Sequence, residues 1–354
     1  MGYLRNHDAA TGWRRQFGSL FIAGLGIAAL TASLVAPAAG AQPAPTGQAS
    51  TMGGGLKEAK DVSIIYVGCN APTTFFWARV TRGAQEAANN LGIQYQYLYP
   101  QTADATTLNQ TTEQAISAQA DGLAICGLDP NGQRSTIQRA VDLGIAVVLT
   151  PPENTITQTP LKDPNLPYIG QVGADEPSGG VLAASSAMTR LKSKSIVCTQ
   201  SQSDTTQGLR CKSLVDTATS MGAGAQIQIV PNDQGQAADI MTNFMRAHPD
   251  VDTVITTNAD VGIGVVQAKQ TADTPGVHLV TFDLNDAVLQ GVKDGTIDYA
   301  IDQQQYWRGY LPVLLLTHYI RYKLVMANNF LTGPNIIDQS NVDAVINLVS
   351  QAIR

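Results

Sequence analysis

The sequence predicts an α/β protein made of two doubly wound parallel-sheet lobes with a cleft between them. Three observations predict it. Short apolar runs alternate with helical patterns from Val62 onward, as in parallel strands joined by right-handed crossovers. There are about ten such units, more than one ordinary doubly wound sheet holds. A Pro-rich stretch from Pro151 to Pro167 divides them into two groups.

In the first group, strands are expected at 62–67, 93–98, 122–125 and 145–149, with helices at 76–90, 107–119 and around 135–143. Leu91-Gly92 closes the first helix, because glycine accepts the left-handed conformation of a helix stop. The second helix carries Leu108, Ala115, Ile116 and Ala118 among its apolar positions. Beyond the Pro-rich stretch, strands are expected at 168–171, 195–199, 225–230, 251–256, 277–282 and 296–301, with helices in the gaps. Ligands of such sheets sit beyond the carboxyl ends of the strands. The residues that follow each strand are therefore the ones to weigh.

Composition and the chain start narrow the function. Hydrophobic residues make up 44% of the 354 positions, enough for a core, and only 14% are charged. The net charge is −6 with no long basic run, which argues against nucleic-acid binding. His7, His248, His278 and His318 are scattered, and no zincin, nucleophile-elbow or P-loop motif occurs,. Gly262-Ile263-Gly264 lacks the third glycine and the acidic residue of a dinucleotide turn, and reads instead as a helix start packed close to a strand. No cofactor, metal or catalytic set is expected. Residues 1–41 read as a cleaved signal peptide: Arg14-Arg15, an uncharged run over 18–35, and Ala39-Gly40-Ala41 before Gln42,. Arg14-Arg15-Gln16-Phe17 is also similar to a twin-arginine signal. Residues 42–60, rich in Pro, Gly, Ala and Ser, read as a flexible leader,.

Several segments together resemble periplasmic sugar-binding proteins of the ribose-binding type. They are Phe76-Trp77 with Val80, Gly83-Ala84 and Leu91-Gly92; Asp121-Gly122-Leu123-Ala124-Ile125; and Gly144-Ile145-Ala146-Val147-Val148. In the second half they are Ala247-His248-Pro249-Asp250-Val251 through Asn258; Thr281-Phe282-Asp283; and Ile301-Asp302-Gln303. Cys198 and Cys211, with Arg210 beside the second, resemble a branch of exported sugar binders. The resemblance implies the type I periplasmic binding architecture with a three-segment hinge crossed near Gly173, Gln303 and Leu331. The lobes would then be 61–173 with 304–331, and 174–303 with 332–354. The helix within 307–326 would belong to the first lobe, and the C-terminal helix around 342–352 to the second. Three positions depart from the pattern. Pro151-Pro152 stands where ribose binders carry Asp-Arg, Cys126 replaces a ligand Asn, and Arg210 lies two residues past the family's ligand Arg.

The implied ligand residues are Phe76, Trp77, Asp175, Asn258, Asp283 and Gln303. An aromatic face covers the C–H face of a sugar, a carboxylate accepts from two hydroxyls, and amides both donate and accept. Asp175 is preferred to Glu176 beside it. Asp283 has a competing reading as the N-cap of the helix that follows. Four cysteines in an exported chain allow three full pairings. Cys69 and Cys126 end strands one and three, neighbours in a 2-1-3 order about 4.8 Å apart. Cys198 and Cys211 fall on a strand end and its following helix. The expected bonds are therefore Cys69–Cys126 and Cys198–Cys211. The function implied is the monomeric periplasmic receptor of an ABC importer, binding a monosaccharide or polyol and presenting it to a membrane permease. A sensor serving a chemoreceptor or kinase, and an exported sugar-modifying enzyme, are the alternatives.

Overall fold

The computed structural model describes residues 56–128, 130–150, 168–202, 204–326 and 328–354. The expected signal peptide, the leader up to residue 55 and the Pro151-Pro152 departure lie outside the described residues.

The first sheet is built from β1 (Ser63–Val67), β2 (Gln94–Leu98), β3 (Gly122–Ile125), β4 (Ala146–Leu149) and β5 (Gly170–Gly173). Its helices are α1 (Phe75–Leu91), α2 (Ala105–Ser117) and α3 (Pro130–Asp142). The chain then passes to a second sheet of β6 (Ser195–Gln200), β7 (Gly224–Ile229), β8 (Thr253–Thr256), β9 (His278–Phe282) and β10 (Tyr299–Asp302). Its helices are α4 (Glu176–Ser186), α5 (Thr205–Ser220), α6 (Gln234–Ala247), α7 (Ala259–Ala272) and α8 (Asp286–Asp294). The long helix α9 (Gln305–Tyr322) returns to the first sheet, where β11 (Phe330–Leu331) pairs in parallel with β5. The chain crosses once more to β12 (Asn335–Ile337), antiparallel to β10, and ends in α10 (Val342–Val349).

The sheets have the same order: 11-5-4-3-1-2 and 12-10-9-8-6-7. Each is thus a doubly wound lobe of order 2-1-3-4-5 with a sixth strand added from the far side of the hinge. We call them lobe 1 and lobe 2. The central strands β3, β4 and β8 are buried at every position, as expected of strands covered on both faces. Lobe 1 has one core, which includes Tyr66, Leu123 and Val148. The faces of lobe 2 carry two, one around Met241 and Leu289, the other around Cys198 and Phe282.

The packing of α9 explains why a late helix belongs to lobe 1. A Cβ on Gly83 would stand 2.1 Å from the Tyr306 carbonyl, and one on Gly309 would stand 1.8 Å from that of Val80. Only glycine at both positions lets α1 and α9 approach this closely. Gly262 packs against Thr281 of β9 in the same way, so that glycine pair is a packing feature. Lobe 2 also touches α1, where Arg79 donates to the backbone carbonyls of Val349 (3.0 Å) and Arg354.

Some elements differ from the sequence expectation. The strand expected at 296–301 starts at Tyr299, because Ile297 N donates to the Gly291 carbonyl (3.0 Å) and so closes α8. The short strands β11 and β12 were not anticipated. They pair only with distant segments and leave no local pattern. The leader's last residues are fixed to lobe 1: Lys57 pairs with Asp121, and its carbonyl accepts from Arg321 Nε at 3.0 Å. Both disulfides join the expected partners, Cys69–Cys126 and Cys198–Cys211, with Cα separations of 5.6 and 5.5 Å.

Candidate functional site

The carboxyl ends of the lobe 2 strands carry a continuous line of polar side chains, all buried except the half-buried Asp283. Arg210 on α5 is its centre. Its Nε donates to Glu176 Oε2, an ion pair with side-chain exposures of 5% and 1%. Its Nη1 donates to the Thr257 carbonyl and its Nη2 to Gln303 Oε1, each at 2.8 Å. Gln303 Nε2 donates in turn to Asp283 Oδ1 at 2.6 Å, and Gln305 Nε2 reaches the same oxygen at 2.8 Å. The Arg210 guanidinium also lies 4.7 Å from the centroid of the Phe282 ring. Such charge-assisted bonds fix the geometry of every member.

Lobe 1 contributes a different surface. Phe76 and Trp77 stand in the first turn of α1 with ring centroids 5.3 Å apart. Trp77 is buried in the lobe 1 core, and Phe76 is half-buried. Arg308, one turn into α9, joins the two surfaces. Its guanidinium carbon is 5.5 Å from the Phe76 ring centroid and 6.0 Å from that of Trp77. It donates through Nη2 to the Thr150 carbonyl at 2.8 Å, and its own carbonyl accepts from the Tyr66 hydroxyl. It is also close enough to Glu176, Arg210 and Asp283 to shift with their charges.

Burial sets the electrostatics. It pushes the Asp283 carboxyl up to about 6, with Arg210 and the Gln303 hydrogen bond pulling the other way. It raises Glu176 too, against the pull of Arg210 and Arg308. Burial works against the Arg210 charge, but Glu176 and Asp283 more than offset it and hold Arg210 above its ordinary value. Arg308 has no carboxylate among the described residues to hydrogen-bond, and burial lowers it. The site therefore contains two acids and two guanidiniums in low-dielectric surroundings.

The structure brings Asp283 and Gln303 together, directly bonded, and puts Phe76 and Trp77 around Arg308. Asp283 has φ 65°, a left-handed conformation rare outside glycine,. It is not the cap of α8: Asn285 takes that role, its Oδ1 accepting from Val288 N at 2.7 Å. Asp175 and Asn258 are engaged otherwise. Asp175 caps α4 through Ser178 N (3.1 Å) and Ser178 Oγ (2.6 Å). Asn258 caps α7 through Val261 N (2.9 Å) and donates to Asn232 (2.9 Å). The network's acid beside Asp175 is its neighbour, Glu176.

A family model for the periplasmic binding protein domain matches residues 64–324. The chain belongs to the periplasmic binding protein family. It is similar to the xylose/arabinose-binding protein XylF of Sulfolobus acidocaldarius, at 27% identity over 313 residues, covering 83% of this chain and 75% of that protein. A 71-residue stretch is 35% identical to the ribose import binding protein RbsB of Salmonella typhimurium, covering 20% and 24% of the two chains. Among solved structures, a carbohydrate transporter from Acidothermus cellulolyticus 11B in complex with myo-inositol superposes with a TM-score of 0.73. It is 28% identical, and the match covers 83% of this chain and 99% of that one.

Glu176, Arg210, Gln305 and Arg308 were not among the ligand residues expected from the sequence. One signal pointed to the last two. The buried positions of α9 include 305, 308, 309, 312, 313 and 316, a helical stripe on which an arginine is out of place unless it is used. Glu176 gave no such signal, since an acid in a first helical turn is ordinary at a surface.

Proposed function

We propose that the protein is an exported solute-binding receptor of an ABC importer that captures a neutral sugar or polyol between its lobes. One observation carries this reading: a buried, hydrogen-bonded line of carboxylate, guanidinium and amide groups on lobe 2 stands beside an aromatic pair on lobe 1. Hydroxyl groups both donate and accept, so a polyhydroxylated molecule suits such a mixed set without bringing charge. The aromatic pair suits the apolar face of a ring. The names of the relatives, which are xylose/arabinose, ribose and inositol binders, support the same ligand class. Phe76, Trp77, Asp283 and Gln303 are the residues we assign to the ligand, with Arg210 holding Gln303 in place. Asn258 keeps one amide hydrogen beyond its cap bonds, and Asp175 acts by setting the start of α4.

A ligand that touches both lobes binds the closed form better than the open one, and that differential drives closure. The closed form is then what a membrane permease recognises. Binding without turnover follows from this role. The test is calorimetry and thermal unfolding with D-xylose, L-arabinose, D-ribose and myo-inositol. A binder stabilises the folded protein by an amount that grows with the logarithm of free ligand over Kd, so the melting temperature keeps rising with ligand concentration, and small-angle scattering registers a smaller radius of gyration. No binding by any of the four, or chemical conversion of the one that binds, would overturn the reading.

A further inference from the structure

Three polar atoms at the site have no hydrogen-bond partner among the described residues: Glu176 Oε1, Gln305 Oε1 and Arg308 Nε. Their residues are 1%, 1% and 4% exposed. Leaving such groups unpaired in a protein interior is costly. Glu176 and Gln305 belong to the line bonded through Arg210, Gln303 and Asp283, whereas Arg308 is not bonded to that line but feels the charges of Glu176 and Asp283; the three come from different elements. Glu176 opens α4 on lobe 2, while Gln305 and Arg308 lie one turn apart on α9, the helix that returns to lobe 1.

We infer that Arg308, with Glu176 and Gln305, determines ligand specificity, reading a hydroxylated ligand through one acceptor oxygen given to Arg308 and hydroxyl donors given to Glu176 and Gln305. The inference rests on the sugar-receptor reading and adds residues to it. The donor count selects the chemistry. Two unpaired acceptors and one unpaired donor call for a ligand that donates at two points and accepts at a third. A carboxylate satisfies the guanidinium but offers nothing to Glu176 or Gln305. A molecule with several hydroxyl groups offers both the donors and the acceptor. Arg308 suits this role because its other contacts hold it still. It donates to the Thr150 carbonyl at 2.8 Å, it lies against Phe76 and Trp77, and no carboxylate among the described residues bonds it. Its hydrogen-bonding capacity is therefore kept for something else.

The test uses the full-length protein and whichever of D-xylose, L-arabinose, D-ribose and myo-inositol binds the wild type most tightly, together with the monodeoxy analogues of that ligand. Arg308→Gln should weaken binding about 10- to 150-fold, the range for losing a hydrogen bond to a charged group. One deoxy analogue, lacking the oxygen that Arg308 reads, should bind the wild type and the variant alike. Glu176→Gln should single out a different analogue. If Arg308→Gln does not fold, Arg308→Lys, which keeps the charge and loses the Nε donor, is measured in its place. Affinity within threefold of wild type, or an equal loss for every analogue, would overturn the role of Arg308 and leave the sugar reading standing. A wild type that binds none of the four probes would remove both.

Discussion

The two lobes have the same strand order but present opposite chemistry at the ends of their strands. Lobe 2 ends in Glu176, Arg210, Asp283 and Gln303, a hydrogen-bonded wall. Lobe 1 ends in a disulfide after β1 and β3 and in the aromatic turn of α1. The helix that carries the aromatic pair also starts differently from most others, although Asp104 caps α2 of lobe 1 through its side chain. In lobe 2, Asp175, Asp204, Asp233, Asn258 and Asn285 all cap their helices through the side chain, whereas Thr74 at the start of α1 does not. One topology thus supports a polar wall in one copy and an apolar platform in the other. The fold dictates where a ligand sits, and the residues after the strands dictate what it is.

The largest expected effect separates the lobes by stability. Arg210→Met leaves Glu176 buried without its partner and should cost about 3–5 kcal/mol in urea unfolding. An equal substitution at Arg139, whose pair with Glu113 is exposed, should cost less than about 1 kcal/mol. Equal losses would mean that the lobe 2 wall is not held by its ion pair. The disulfides come next. By loop entropy, replacing both cysteines of Cys69–Cys126, 57 residues apart, should cost about 4 kcal/mol, and of Cys198–Cys211, 13 apart, about 3 kcal/mol,. Affinity should reverse that order, because Cys211 adjoins Arg210 and anchors the wall. Calorimetry on the two double variants checks whether stability and affinity part in this way.

Asp283→Asn should weaken ligand binding by about 1.5–3 kcal/mol while the unliganded protein stays folded. Unchanged affinity would take Asp283 out of the site. The smallest effect is a pH dependence of the same group. Its folded value, about 6, lies above the ordinary aspartate value near 3.9. Its contribution to stability is therefore fully present below about pH 4 and lost as pH rises through 6. Relative to Asp283→Asn, the unliganded wild type should lose about 1–2 kcal/mol over that window, allowing for the partial exposure of Asp283. Ligand affinity runs the other way. In the proposed function the ionised carboxylate is the hydroxyl acceptor, so binding should strengthen about tenfold from pH 5 to pH 7. A flat affinity profile would mean that the ligand does not bond this carboxylate.

The alternation of strands and helices was legible because it is a local signal. Apolar runs such as Leu123–Ile125 and Val147–Leu149 lie in strands buried on both faces, and Gly92 stops α1 in the left-handed conformation that its sequence position implied. The Cys69–Cys126 partnership followed from strand order, since β1 and β3 are hydrogen-bonded neighbours, and Cys198–Cys211 from a strand end and the helix after it. Local signals failed where the partner is far along the chain. The pairing of β11 with β5 and of β12 with β10 joins segments distant along the chain within each sheet.

The candidate site divides along the same line. Period and spacing placed the aromatic pair at the start of the helix after the first strand and an acid directly after a strand, and the resemblance to ribose-type binders added the amide at the hinge strand. The sequence by itself did not determine which side chains would be free to meet a ligand. Asp175 and Glu176 are adjacent acids in similar sequence surroundings. One turns back to Ser178, and the other is carried inward to Arg210, 34 residues away. Asn285, not Asp283, took the cap of α8, which left Asp283 in a left-handed conformation facing Gln303 and Gln305. Arg308 was committed to the site by the close packing of α9 on α1, which needs Gly83 and Gly309 together. Such choices depend on which hydrogen-bond partner lies nearer in space, and only the tertiary structure fixes that distance.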